Sequence, residues 1–215
     1  MIFHDVEQNT DEWFLLRAGM LTGSGFGKIM ANYGKAFGDP AKKYAVNIAI
    51  EQITGTPISS DYSNAHMERG HEQEPIARMR YEEEFFCDVT NGGFFESGLV
   101  GVSPDGLVGD EGVIEIKSVV PNIHYANLRR QSFDPAYKWQ LIGNLLYTER
   151  EWMDFISFCA DFPEDKRLFI CRLHAKHFSD EFKMLKTRIS EFFDLVNQTR
   201  RDIETKNYHI TAKVA

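Results

Sequence analysis

Asp105, Glu115 and Lys117 are the residues of this chain whose types and spacing most clearly suggest chemistry. They lie in "SPDGLVGDEGVIEIKS", Ser103 to Ser118, where an acid, then nine residues, precede an acid and a base with one residue between them. Side chains alternate along a strand, so within "VIEIK" Ile114 and Ile116 face one way and Val113, Glu115 and Lys117 the other. Pro104-Asp105-Gly106 is a tight turn before the neighbouring strand, and a hairpin folds Asp105 back toward Glu115. Two carboxylates about 4 Å apart repel by roughly 4 kcal/mol at an effective dielectric near 20. A divalent metal relieves that repulsion best, because hard cations take carboxylate oxygens. Lys117 adds a positive charge that can hold or help deprotonate a water. Metal, water and ammonium together are the parts needed to attack a phosphodiester. The plain alternative is a solvated strand pair of Glu115 with Lys117. The β-branched neighbours of Glu115 argue for a central strand, where two charges on one face need a reason.

The elements that must hold these groups follow from caps and periods. Thr10 with Asp11 and Glu12 starts a short helix carrying Trp13, Leu16 and Arg17, and Gly19 ends it. Ser24 can cap a second helix through Ile29 and Met30. Asp39-Pro40 opens a third that runs to Gly55. A fourth spans roughly Asn64 to Glu84 with Met67, Gly70, Glu74, Ala77 and Tyr81 along one side; Pro75 predicts a kink, or a restart with Glu74 near the cap. The period then shortens. Asn91-Gly92 within Val89–Glu96 signals a hairpin. Leu99–Val102, Leu107-Val108 and Val113–Lys117 read as short strands broken by "PDG" and "GDEG" turns. Asp134-Pro135 begins a helix through Tyr147, Trp152–Ala160 and Leu168–Leu173 are strands, and a long helix runs from Phe178 to about Lys206. This order predicts an α/β fold with a central mixed sheet covered by helices on both sides, in a single domain over residues 1–215.

Bulk properties narrow the function. The net charge of −8 argues against a basic protein that coats nucleic acid, yet leaves room for an enzyme with a local basic groove. No apolar run is long enough to span a bilayer. The N-terminus lacks a signal-peptide pattern, so a cytosolic location is expected. Cys87, Cys159 and Cys171 fit no zinc spacing or disulfide framework, which suits a reducing compartment. His4, His66, His71, His174, His177 and His209 show no metal-ligand spacing. There is no glycine-rich phosphate loop, so no ATP-driven step is expected.

The stretch Ser103–Ser118 resembles the signature of the PD-(D/E)XK nuclease superfamily. Its neighbours resemble one branch, the lambda-exonuclease-like or YqaJ-type viral recombinase family. "WFLLRAGMLTGSGFGKIM" is similar to that family's N-terminal block of Trp, Arg, Gly, Thr and Ser. "RGHEQEPIARMRYE" resembles its glycine-to-glutamate helix. "YKWQLIGNLLYT" resembles its helix of two glutamines, with Gln140 present and Lys138 standing at the first. The blocks follow the family's order from Trp13 to Tyr147, and beyond Trp152 the likeness rests on pattern alone.

The resemblance implies a restriction-endonuclease-like core and a set of roles. Asp105, Glu115 and the backbone carbonyl of Ile116 are the expected metal ligands, and Glu74 completes the site. Lys117 positions the attacking water, and Gln140 supports the site. Arg17, Ser24 and Ser103 are the expected pocket for a terminal 5′-phosphate. Ser24 as a mere cap and Arg17 as a surface charge are the plain alternatives. "SVVPNIHYAN" lacks the arginine that the family can place shortly after the lysine, leaving His124, Arg129 or Arg130 as candidates for its place. The implied activity is Mg²⁺-dependent digestion (Mn²⁺ substituting) of one strand of linear duplex DNA from its 5′ end. It leaves a 3′ single strand for recombination by annealing. A homotrimeric ring around DNA, a single-strand annealing partner and a bacterial or phage-infected cytosol belong to the same expectation. A restriction- or junction-type endonuclease of the superfamily and an inactive DNA-binding module are the competing readings.

Overall fold

The computed structural model describes residues 1–58 and 65–206. A short strand, β1 (Ile2–His4), comes first. Helix α1 (Asp11–Arg17) starts as its cap dictates: Thr10 Oγ1 accepts the Trp13 N–H at 3.3 Å, with two acids in the first turn and Arg17 in the last. After β2 (Leu21–Thr22) a single 3₁₀ turn, Gly23–Gly25, leads into α2 (Phe26–Met30), so Ser24 sits inside that turn and caps nothing with its side chain. Helix α3 (Asp39–Thr54) has Pro40 in its first turn and stops at Gly55, whose φ of 67° is left-handed.

The next stretch overturns two expectations, a helix restart at Glu74 and a hairpin at Asn91-Gly92. Helix α4 (Ala65–Phe85) runs on through Pro75 without a break. Pro75 lies on the exposed side, and the turns after it are held to the sheet by the buried Ala77 and Tyr81. Asn91-Gly92 makes no hairpin. Strand β3 (Val89–Thr90) and strand β4 (Phe94–Ser97) enter different sheets. The Asn91 side chain donates to Asp5 Oδ1 at 2.8 Å and to the Val6 carbonyl at 3.1 Å, pinning the link to the N-terminal segment. Gly92 meanwhile presses its backbone on the loop before the next strands: a Cβ there would stand 1.8 Å from the Pro104 carbonyl oxygen. The start of α4 expected at Asn64 and His209 lie outside the described residues, as do the side chains of His66, Met67 and His71.

The chain continues with β5 (Val100–Val102), β6 (Gly106–Val108), β7 (Gly112–Ser118), α5 (Pro121–Arg130) and, after a 3₁₀ turn at Pro135–Tyr137, α6 (Lys138–Thr148). Strands β8 (Trp152–Phe158) and β9 (Leu168–His174) and the long α7 (Ser179–Thr205) complete it. Among the described residues the strands form two mixed sheets. One is four-stranded in the order β1-β4-β5-β2, the other five-stranded in the order β3-β6-β7-β8-β9. Strand β7 is central to the second, antiparallel to β6 and parallel to β8 with Glu115 opposite Phe155.

The alternation read from "VIEIK" decides which core each face serves. Val113 joins Met153, Phe155 and Leu173 in the main core against α2, α3, α6 and α7. Ile114 and Ile116 turn the other way and pack with Ile156 and Phe158 against Ala77 and Tyr81 of α4. The sheet is therefore a layer between α4 and the α6–α7 side, and residues from both helical layers can meet at its end.

Candidate active site

Strand β6 ends short of β7, and Asp105 fills the step between them. Its N–H donates to the Ile114 carbonyl at 3.0 Å, and its Oδ2 accepts the Ile116 N–H at 2.6 Å. The acid thus extends the ladder one position by side chain. The N–H and C=O of a strand residue leave on the same edge, so the Ile116 carbonyl faces the same gap. Glu115 and Lys117 share the main-core face as expected, with Lys117 Nζ 2.5 Å from Glu115 Oε1. Helix α6 closes on them: Gln140 Nε2 donates to Glu115 Oε1 at 2.6 Å and Asn144 Nδ2 to Oε2 at 2.9 Å. From the opposite layer, Arg78 of α4 donates to the Asp105 carbonyl and stands 3.5 Å from Glu74 Oε1. Glu74, Arg78 and Asp105 line an open cleft of about 490 Å³ with Glu7, Gln8 and Asn91.

The electrostatics are those of crowded acids. Burial raises Glu115 above the ordinary carboxylate range, and the charge of Asp105 adds to it. Burial likewise raises Asp105, against the pull of Lys117 and the Ile116 amide. Glu74 is pushed up to about 7, first by burial and then by Asp105, while Arg78 and Lys117 oppose the rise. Burial works to lower Lys117, but Glu115 and Asp105 outweigh it and hold the ammonium above its usual value. Lys117 is therefore a charged donor here. Its ammonium also lies 5.3 Å from the centre of the Tyr137 ring.

Arg17 and Ser24 line a second cleft of about 230 Å³ with Phe14, Thr22, Tyr44 and Glu51. The Arg17 guanidinium lies 3.6 Å above the Trp13 ring and makes no hydrogen bond or ion pair among the described residues. Burial brings it down to about 10, with Tyr44 and Glu51 holding it up. Glu51 is itself fixed by the Gly19 and Ile58 amides, each at 2.9 Å. Ser103 is not on the cleft wall. It stands behind it, accepting Trp13 Nε1–H at 2.9 Å.

The candidates for the missing arginine lie elsewhere. His124 is buried between Ser157 Oγ and the Lys166 carbonyl, each at 2.9 Å, and burial lowers its pKa. Arg130 at the end of α5 bonds Asn127 and the Phe133 carbonyl beyond it, and Arg129 is exposed on the same helix. Lys138 pairs with Glu181 of α7 at 3.2 Å. The acids and Lys117 thus come together, Arg17 and Ser24 form a neighbouring cleft, and His124, Arg129 and Arg130 join neither. Asn144, Arg78 and Trp13 are participants that sequence reasoning passes over. Asn144 is four residues after Gln140 and Arg78 four after Glu74, the spacing that stacks side chains on one helix face.

Among the described residues no three Asp, Glu, His or Cys side chains converge closely enough to enclose an ion. Lys117 and Arg78 answer the acids' charge in this arrangement. The donors that do face the step, Asp105, Glu115 and the Ile116 carbonyl with Glu74 across the cleft, are all hard oxygens.

No curated protein matches the chain. Solved structures do. An alkaline exonuclease from Laribacter hongkongensis, LHK-Exo, is 30% identical with a TM-score of 0.75, covering 91% of this chain and 98% of its own. The same protein in complex with dAMP gives a TM-score of 0.77 at 30% identity, over 91% of this chain and 98% of that one. A phage-related exonuclease from Haemophilus somnus 129PT shares the fold at 15% identity and a TM-score of 0.68, over 86% of this chain and 96% of its own. Residues 12–151, which include Arg17, Glu74, Asp105, Glu115, Lys117 and Gln140, match the YqaJ-like viral recombinase domain, and the chain belongs to that family.

Proposed function

We propose that this protein is a divalent-metal-dependent exonuclease that digests one strand of linear duplex DNA from its 5′ end. The 3′ single strand left behind would serve recombination by annealing. The observation that carries the reading is the meeting of Asp105, Glu115 and Lys117 at the end of β6, with Glu115 held from three sides. The residues fit a hard cation: carboxylate and carbonyl oxygens only, with Asp105 and Glu115 both raised by burial and Glu115 raised further by Asp105, so that a shared positive charge is favoured. Asp105, Glu115 and the Ile116 carbonyl would hold it, with Glu74 completing the set. Mg²⁺, or Mn²⁺ in its place, supplies charge neutralisation at the phosphoryl oxygens when bound. The chain's own residues do the rest. The charged Lys117 orients the water for attack, Gln140 and Asn144 keep Glu115 from rotating, and Arg78 offers a cation to a backbone phosphate in the larger cleft.

The smaller cleft supports the choice of an end. A half-buried arginine that makes no ion pair among the described residues favours a phosphate, which it can meet with paired N–H donors. Ser24 adds a hydroxyl on the same wall. The relative solved with dAMP, a mononucleotide, is in keeping with release of single nucleotides. A net charge of −8 fits a closed ring of three copies with basic groups turned to the DNA and acidic surface outward. A partner that anneals the exposed strand completes the proposal. The test is digestion of linear duplex labelled at either end, beside a closed circle, with and without Mg²⁺. Metal-dependent release of 5′ label with the circle spared is expected. A cut circle would replace the reading with an endonuclease, and binding without any cleavage would replace it with an inactive module.

A further inference from the structure

Asn144 lies between Glu115 of the acid site and the turn that carries Ser24. Its side chain is 1% exposed, and its amide nitrogen donates to Glu115 Oε2 at 2.9 Å. This is the orientation in which the amide serves a charged Glu115, since its oxygen has no proton to offer a carboxylate. Oδ1 is therefore turned away, and it is buried without a hydrogen-bond partner among the described residues. It faces the turn that carries Ser24: a Cβ built on Gly23 would stand 3.1 Å from Oδ1. Helix α6 approaches that turn closely, since a Cβ on its Gly143 would meet the Phe26 ring at 2.1 Å. The first residues of a 3₁₀ turn present backbone N–H groups with no partner inside the turn. An unpaired buried acceptor thus lies against the turn, and the far end of the same amide grips the metal-site acid.

We propose that Asn144 is a positioning residue that sets the spacing between the two clefts. Its nitrogen fixes Glu115 and its oxygen props the Gly23–Ser24 turn, so one side chain determines how far the scissile bond lies from the bound 5′ end. The inference rests on the exonuclease reading above. Gln140 is the built-in comparison, because it holds the other oxygen of Glu115 and makes no hydrogen bond to the turn among the described residues.

The experiment compares Asn144→Leu, Asn144→Asp and Gln140→Leu in the full chain. Four readouts are taken: melting temperature, Mg²⁺ binding by calorimetry, the rate ratio for 5′-phosphate over 5′-hydroxyl duplex, and the lengths of the released products. All three variants should weaken Mg²⁺ binding, by about 10- to 100-fold as for other residues that orient a ligand. Only Asn144→Leu should also flatten the 5′-phosphate ratio and spread the products over more than one length. Asn144→Asp keeps an oxygen toward Gly23 and should hold the wild-type product length. If Asn144→Leu does not fold, Asn144→Ser takes its place, since it is too short to reach the turn. Products and phosphate ratio in Asn144→Leu or Asn144→Ser identical to those of Gln140→Leu would overturn the proposal. A wild-type protein with no metal-dependent release of 5′ label would instead overturn the exonuclease reading itself.

Discussion

Lys117 Nζ lies 2.5 Å from Glu115 Oε1, on a strand whose Val113, Ile114 and Ile116 side chains are apolar core. Two charges at such a place are kept by what they do to each other. Glu115 holds Lys117 protonated, and Lys117 restrains the rise of Glu115. Lys117→Ala should therefore reduce single-turnover cleavage by about 10²- to 10⁴-fold, the usual worth of a positioned proton-transfer or water-orienting group. Binding to duplex ends in Ca²⁺ should change little. Gel shifts beside rapid-quench cleavage check both, and retained cleavage would remove Lys117 from the chemistry.

The acids give a second prediction, read from stability. Asp105 has a folded pKa above its ordinary 3.8 because burial penalises its charge. The sign follows from linkage: the folded state binds more protons than the unfolded, so stability is greatest below the ordinary value and declines as pH rises toward the raised one. In chelator-treated protein, wild type should lose stability relative to Asp105→Asn as pH climbs from 4 to 8. The loss amounts to about 1.4 kcal/mol for every tenfold weakening of the carboxyl's acidity on folding. Mg²⁺ should restore the wild type and not the variant. Urea melts at several pH values test this, and parallel curves for the two proteins would contradict it.

Arg17 should govern end recognition without touching the acids. Arg17→Ala is expected to remove most of the preference for a 5′-phosphate while Mg²⁺ binding stays intact. Arg17→Lys should rescue only in part, because an ammonium keeps the charge but neither the paired donors nor the flat stack on Trp13. Steady-state kinetics on 5′-phosphate and 5′-hydroxyl duplexes give the ratio, and the expected change lies in KM.

Much of this is legible in the chain. The 2-residue period of "VIEIK" assigns Glu115 and Lys117 to one face, and the caps at Thr10 and Asp39-Pro40 place α1 and α3. Other features are not, for physical reasons. Asn91-Gly92 carries the chemistry of a two-residue turn, but contacts from Asp5, Val6 and Pro104, distant in sequence, decide its conformation. Helix α5 is not marked by buried apolar residues, because those it buries fully are His124 and Asn127, which bond Ser157 of β8. Asn144 looks like any polar residue in an apolar helix until Glu115 is placed against it. The division into two sheets depends on pairing partners, which alternation along one strand does not specify.

A buried network away from both clefts predicts stability alone. Asp154, wholly buried on β8, accepts Tyr81 Oη–H at 2.6 Å and two bonds from Arg172 at 2.8 and 2.7 Å. Arg172 stacks on Trp152 at 3.7 Å. Arg172→Ala leaves the Asp154 charge without its partner and should cost about 3–5 kcal/mol. Tyr81→Phe removes one bond to a charged group and should cost about 1.5–3 kcal/mol. Chemical denaturation gives both, and a larger loss in Tyr81→Phe would reverse the assigned order. Neither variant should alter the 5′-phosphate preference.

His124 makes the fold sensitive to acid. It is fully buried, bonded at both ring nitrogens by Ser157 and Lys166, and edge-on to Phe162 with ring centres 4.7 Å apart. Burial depresses its pKa below the ordinary 6.5, so the folded state favours neutral imidazole. The unfolded chain takes up a proton near pH 6.5 while the folded chain resists. Between 6.5 and the lower folded value the unfolded state therefore holds more protons, and stability falls as pH falls. Above that window the contribution is complete. His124→Gln should be less stable than wild type at pH 7.5, having lost ring packing and ideal bonds. It should also lose less on going to pH 5.5, so that the two denaturation midpoints approach each other. Midpoints that stay equally far apart at both pH values would show that His124 titrates alike in the folded and unfolded chains.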